Sequence, residues 1–140
     1  MAAINLNTVR STIESRVRNE FRTGRPVPVI FNNVPFDAST VDTFIQCVVS
    51  FGNSSYLTQA TSGNGDNQIT GLVLLNTYTK QGVGSGENFT ICKRIRDLYN
   101  RITVSSVIFD APIGPEILTS SPEGKFQTQI RITFSIYEDL

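Results

Sequence analysis

The chain has 140 residues, with 12 basic and 12 acidic side chains in balance and only 17% of its residues charged. That length predicts a single domain, 1–140, able to bury a core without metals or bridges. A net charge of zero excludes nucleic-acid binding driven by overall charge, which needs clustered Lys and Arg, and the absence of histidine removes the commonest general base and most zinc sites.

Residues 6–21, LNTVRSTIESRVRNEF, read as an amphipathic helix. Leu6, Val9, Ile13, Val17 and Phe21 recur at spacings of three and four, and Asn5 or Asn7 is placed to cap the start. Gly24 is expected to end the helix, with Pro26 and Pro28 keeping it from resuming. VPVIFNNVPFD (27–37) is extended, because Pro28 and Pro35 exclude helix. TFIQCVVSFG (43–52) reads as a strand with Ile45, Cys47, Val49 and Phe51 on one face. The polar, Gly-rich stretch TQATSGNGDN reads as a mobile loop or a hairpin tip. NQITGLVLLNTYTK (67–80) follows as a long strand, with Gly71 a candidate bulge.

The stretch KQGVGSGENFT (80–90) joins that strand to a second helix over 86–100. Its glycines raise the question of phosphate binding. A Walker loop needs GxxxxGK[ST], and from Gly82 the lysine position falls on Asn88. A dinucleotide fingerprint fails too, because its last glycine falls on Glu87. The glycines therefore read as a sharp strand-to-helix turn. In the helix, Phe89, Cys92, Ile95 and Tyr99 form the expected apolar stripe, broadened by Ile91 and Leu98. Glu87 near its start and Lys93, Arg94, Arg96 and Arg101 toward its end suit the helix dipole.

ITVSSVIF (102–109) reads as one strand. DAPIGPEILTSSPEGK (110–125), with three prolines and two glycines, reads as a long loop. QTQIRITFSIYED (127–139) alternates clearly: Thr128, Ile130, Ile132, Phe134 and Ile136 face one way, and polar residues face the other. The order helix, strands, helix, strands predicts an α+β domain, two α-helices packed on a mostly antiparallel sheet.

No motif for metal, cofactor or catalysis stands out. Cys47 and Cys92 sit inside apolar patterns and read as small core residues. Asp66 in GNGDNQ lacks the ligand spacing of a calcium loop. The N-terminus is polar, with no secretory core segment, so NSS (53–55) and NFT (88–90) read as chance glycosylation matches. No apolar run approaches the ~20 residues needed to span a bilayer.

The order of features resembles the tail terminator proteins of long-tailed bacteriophages. The resemblance rests on RPVPVIFNNVPFD (25–37), GLVLLNTYTKQGVGSGENFTICKRIRDLYNR (71–101), PIGPE (112–116) and QTQIRITFSIYED (127–139). Tyr78, Gly82, Gly84 and Gly86 occupy the family's strand-end and turn positions, while 53–67 and 116–125 depart from it. The resemblance implies a virion structural protein at the junction of tail and neck, made in the host cytoplasm and acting without catalysis or cofactor. It implies a homohexameric ring that caps the tail tube protein and gives the head-tail connector a docking surface, with genomic DNA passing through the lumen. Another neck, head-completion or baseplate component and a small enzyme remain as alternatives. In the ring reading, side-to-side contacts are expected from Arg10, Glu14 and Arg18 on the first helix and from Arg94, Arg96 and Asp97 on the second. Axial contacts are expected from loops 57–67 and 116–125, represented by Thr58, Asp66, Glu116 and Lys125.

Overall fold

A computed structural model describes residues 5–37, 40–58, 66–119 and 124–139, and at 56–58, 66 and 139 the backbone alone. In chain order the elements are α1 (Leu6–Glu20), β1 (Val29–Phe31), β2 (Phe44–Thr58), β3 (Asp66–Lys80), α2 (Gly86–Tyr99), β4 (Thr103–Val104), β5 (Val107–Phe109), β6 (Ile113–Leu118) and β7 (Lys125–Asp139). The seven strands form one sheet in the order β1-β2-β3-β7-β5-β4, with β6 also paired to β7. Among the described strands only β1 and β2 run parallel. The fold is α+β with a mostly antiparallel sheet, as the alternation predicts.

The sheet is built on three strands of 15 residues each, β2, β3 and β7. β3 and β7 keep one register from Asp66↔Asp139 to Lys80↔Lys125. Alternation then fixes the two faces. Ile45 and Cys47, Val73 and Leu75, and Ile130, Ile132 and Phe134 point to the core, where they meet Val9, Ile13, Val17 and Phe21 of α1 and Ile91, Cys92, Ile95 and Tyr99 of α2. Each such aliphatic or aromatic burial contributes about 1.5–3 kcal/mol. Both helices therefore cover the same face.

The helices run antiparallel, as three contacts establish. Arg94 reaches Glu20, Arg16 reaches the Leu98 carbonyl, and the Tyr99 hydroxyl donates to the Ile13 carbonyl at 2.8 Å. Asn5 caps α1, its Oδ1 accepting from the amides of Asn7 and Thr8, which settles the choice between Asn5 and Asn7.

Several details depart from the sequence reading. α1 ends at Glu20, and Gly24 lies beyond it in the turn with φ 68°. β2 continues past residue 52 to Thr58, through a bulge that sets Gly52 and Asn53 against Thr70. The bulge is thus not at Gly71, which pairs regularly with Phe51 and Phe134. Residues 102–109 form a hairpin rather than one strand, turning at Ser105 with φ 51°. The predicted loop 110–125 contains β6. Pro115 is tolerated there because it falls in the register gap between Ile113↔Arg131 and Glu116↔Gln129, on a strand with no second partner among the described residues. The part of the hairpin tip at 59–65 lies outside the described residues.

Candidate functional site

The residues expected at subunit contacts fall into two groups. Arg94 is engaged inside the subunit. Its guanidinium lies 4.2 Å from the Phe21 ring centroid and donates to the carbonyls of Glu20, Thr23 and Arg25. The Glu20 carbonyl is one that the end of α1 leaves without a helical partner, and those of Thr23 and Arg25 belong to the exit turn. Arg96 is engaged too, donating to the carbonyls of Pro112 at 3.0 Å and Gly114 at 2.6 Å, so it ties β6 to α2. By contrast Arg10 and Arg18 are exposed on α1. Arg10 pairs with Glu14 at 2.7 Å, and Asp97 pairs with Lys93 at 2.7 Å on the surface of α2. The structure thus leaves Arg10, Arg18 and Asp97 on outer helical faces, keeps Glu14 mostly covered with 13% of its side chain exposed, and draws Arg94 and Arg96 inward.

The expected axial residues belong to strands rather than loops. Thr58 ends β2 opposite Asp66 at the start of β3. Glu116 lies in β6, 3.6 Å from Arg131. Lys125 opens β7 with its ammonium almost covered. It donates to the Val41 carbonyl, lies 3.8 Å from Asp42 and sits over the Phe44 ring. Pairing along β7 accounts for both corrections, because it recruits residues whose local sequence favours a loop.

The strand-to-helix joint uses its glycines for backbone conformation. Gly82 and Gly84 have φ of 88° and 86°, and a Cβ at either would meet open space. The left-handed conformation alone demands glycine there. α2 then starts with no side-chain cap from Ser85. Its inward first-turn residue is Asn88 rather than Phe89. Asn88 is fully buried, and its amide donates to the Thr77 and Phe126 carbonyls and to Thr79 while its oxygen accepts from Thr128. Phe89, expected in the apolar stripe, is 40% exposed instead. The NFT match is therefore a packed, hydrogen-bonded asparagine.

Large exposed hydrophobics concentrate near this joint and along the β6 edge. Val34, Phe36, Val83, Phe89, Ile113 and Ile117 range from 36% to 60% exposed. The sheet face away from the helices has a different character. Gln129 donates to Asn76 at 3.0 Å, Asn76 to Gln46 at 3.2 Å, and Tyr78 to Gln46 at 3.3 Å, giving a neutral amide row across three strands. Beyond it lies a depression of about 500 Å³ lined by Ser50, Thr70, Leu72, Thr133 and Asp110. The Thr133 hydroxyl donates to the Asp110 carboxylate at 2.6 Å there.

The perturbed titratable groups lie mainly in the core. Burial pushes the Cys47 thiol up to about 12, with the nearby Glu14 charge adding to it. Burial raises Cys92 as well, partly offset by its hydrogen bonds with Thr128 and Thr77. Tyr99 is raised well above the usual phenol range by burial, with a smaller push from Cys47. Both cysteines are free and buried. Among the described residues no group of three or more Cys, Asp or Glu is arranged to hold a metal ion, and no helix is long and apolar enough to cross a membrane.

No protein-family model and no curated protein matches the chain. The fold does recur among solved structures. One solved chain, whose description states no function, superposes with a TM-score of 0.71 at 12% identity, covering 96% of each chain. At that identity the likeness concerns the fold alone, a two-helix, mostly antiparallel α+β domain.

Proposed function

We propose that the chain is the subunit of a homohexameric ring that caps the end of a bacteriophage tail tube, stops its polymerisation and offers the head-tail connector a docking surface. The action is binding rather than catalysis. Each subunit contact is heterologous, and a fixed rotation closes the ring. One ring face sits on the tube end, while the other lacks the complement that a further tube ring needs.

One observation carries this reading beyond the resemblance in sequence. Of the eight large hydrophobics exposed among the described residues, Val34, Phe36, Val83, Phe89 and Ile113 lie inside the segments 25–37, 71–101 and 112–116 that resemble the terminator family. Exposed apolar side chains that gather on particular segments are a mark of protein contact surfaces. The inward engagement of Arg94 and Arg96 moves the expected side-to-side contacts toward these apolar residues, with α1 left as a separate surface.

Tail-tube protein polymerised with and without the purified chain tests the reading. A terminator shortens tubes in proportion to its concentration and is found at one end only. Tubes of unchanged length, with the chain bound to connector instead, would assign it to the neck and refute the capping role.

A further inference from the structure

We infer that α1 and its exit turn form a docking surface for the phosphate backbone of duplex DNA. The net charge of zero hides a strong local imbalance. Residues 10–25 contain five arginines (Arg10, Arg16, Arg18, Arg22, Arg25) against Glu14 and Glu20, a local net charge of +3. Both glutamates already have partners, Arg10 at 2.7 Å and Arg94 at 3.4 Å. Arg16 is engaged with the Leu98 carbonyl. Among the described residues Arg18, Arg22 and Arg25 remain exposed with no carboxylate within ion-pair distance, Arg18 donating only to the Ser15 hydroxyl at 3.4 Å.

The rest of this face suits phosphate as well. Along α1, Asn7, Thr8, Ser11, Thr12 and Ser15 line a shallow depression of about 480 Å³ together with Arg10. Phosphate oxygens are bound by guanidinium groups supported by hydroxyl and amide donors, without any base being read.

A second copy of the chain is a poorer mate for this surface. Among the described side chains, Asp42, Asp97 and Glu116 are already ion-paired to Lys125, Lys93 and Arg131. Asp37, Glu87 and Asp110 lie on separate segments, and the acidic residues that strand register brings together, Asp66, Glu138 and Asp139, are three at one end of the sheet, short of the charge density of a continuous polyanion. An external polyanion supplies that density, since duplex DNA carries one charge per ~1.7 Å of axis. The binding is sequence-independent and weak per subunit, and it stands whether or not subunits close into a ring.

The test is anisotropy of a labelled mixed-sequence duplex of about 20 base pairs, titrated with the purified full chain at several salt concentrations. With three arginines engaged, affinity should fall about 20-fold between about 50 and 150 mM salt. Arg18→Gln with Arg22→Gln should weaken binding at least about fivefold, and Arg18→Glu with Arg22→Glu about tenfold or more. Lys93→Glu, on α2, should leave it unchanged. Thermal melts of each variant confirm folding, and the salt slope of the unaltered chain is a readout independent of any variant. No binding at about 25 mM salt, or no salt dependence, would overturn the inference. So would equal losses in the Lys93 variant and the arginine variants. Particle mass read in the same samples reports ring formation separately.

Discussion

The Arg94 guanidinium stacks 4.2 Å above the centroid of the Phe21 ring while donating to the Glu20 carbonyl at 2.9 Å. One side chain of α2 thereby closes the C-terminal end of α1 and covers its last core residue. Stacking of this kind contributes about 0.5–2 kcal/mol, and hydrogen bonds from a charged donor about 1.5–3 kcal/mol. Arg94→Ala should therefore lower unfolding stability by about 2–4 kcal/mol, read by urea denaturation. A change below about 0.5 kcal/mol would show that the cap is dispensable. Loss of assembly in an Arg94 variant would accordingly report damage to the fold before it reported an interface.

Among the described glycines, Gly71 leaves the least room for a side chain, because the Phe134 ring lies over it. A Cβ on Gly71 would come within 2.2 Å of the Phe134 ring. Phe134 is fully buried between Phe51 and Phe109, so the ring has little freedom to retreat. Gly71→Ala should destabilise by about 3 kcal/mol or more through overpacking. Adding Phe134→Leu should recover part of that loss, and a double-mutant cycle measures the coupling. Additive effects of the two changes would exclude the collision.

Asn88 satisfies buried groups from two strands. Its amide reaches the carbonyls of Thr77 in β3 and Phe126 in β7. Asn88→Ala leaves those partners buried without a donor, at a cost of about 2–4 kcal/mol. Asn88→Asp should also be strongly destabilising, because it removes the donor and places a carboxyl among acceptor oxygens. Equilibrium unfolding of both variants tests this, and near-neutral values would contradict the role assigned to Asn88.

Cys47 and Tyr99 set the alkaline limit of stability. Both are held protonated by burial, Cys47 with its thiol pushed up to about 12 from an ordinary 9.0. In the unfolded chain the thiol ionises near its ordinary value, so the unfolded state binds fewer protons above that pH. The Cys47 contribution is fully present below pH 9.0 and is lost as pH rises toward 12. Stability should fall over that window, and less steeply in Cys47→Val. A thiol reagent at pH 8 should find neither cysteine in the folded protein and both in denaturant. Rapid labelling of the native protein would contradict the buried placement.

Much of the fold was legible in the sequence where local pattern and tertiary burial agree. The spacing of Val9, Ile13 and Val17 and the alternation from Thr128 to Ile136 survive intact, because each pattern describes a face that meets the core. β6 was not legible. Its Pro and Gly resist strand formation locally, and only pairing with β7 imposes it. Phe89 and Asn88 exchanged their expected roles because the sheet beneath the start of α2 presents Thr77, Thr79 and Thr128, which reward a polar side chain over an aromatic one. The inward turn of Arg94 and Arg96 had little sequence signal, since five of their hydrogen bonds go to backbone carbonyls and a carbonyl carries no residue identity. The arginine density of residues 10–25 was visible, but its exposure could be judged only once Arg16 was placed on α2.

The exposed apolar residues make a prediction of their own. Phe89→Lys and Ile113→Lys replace side chains that are 40% and 58% exposed. Each should shift folding stability by less than about 1 kcal/mol while weakening self-association. Comparing thermal melts with sedimentation of the same samples separates the two effects. Unaltered association in both variants would exclude these residues from the contact.

The most direct test of the ring is particle mass, measured by native mass spectrometry across a wide concentration range, alone and with purified tail tubes. The ring reading predicts a species of six 15.4 kDa subunits, free at high concentration or assembled at tube ends. A chain that stays at one subunit's mass throughout, and leaves the tube ends bare, would contradict it.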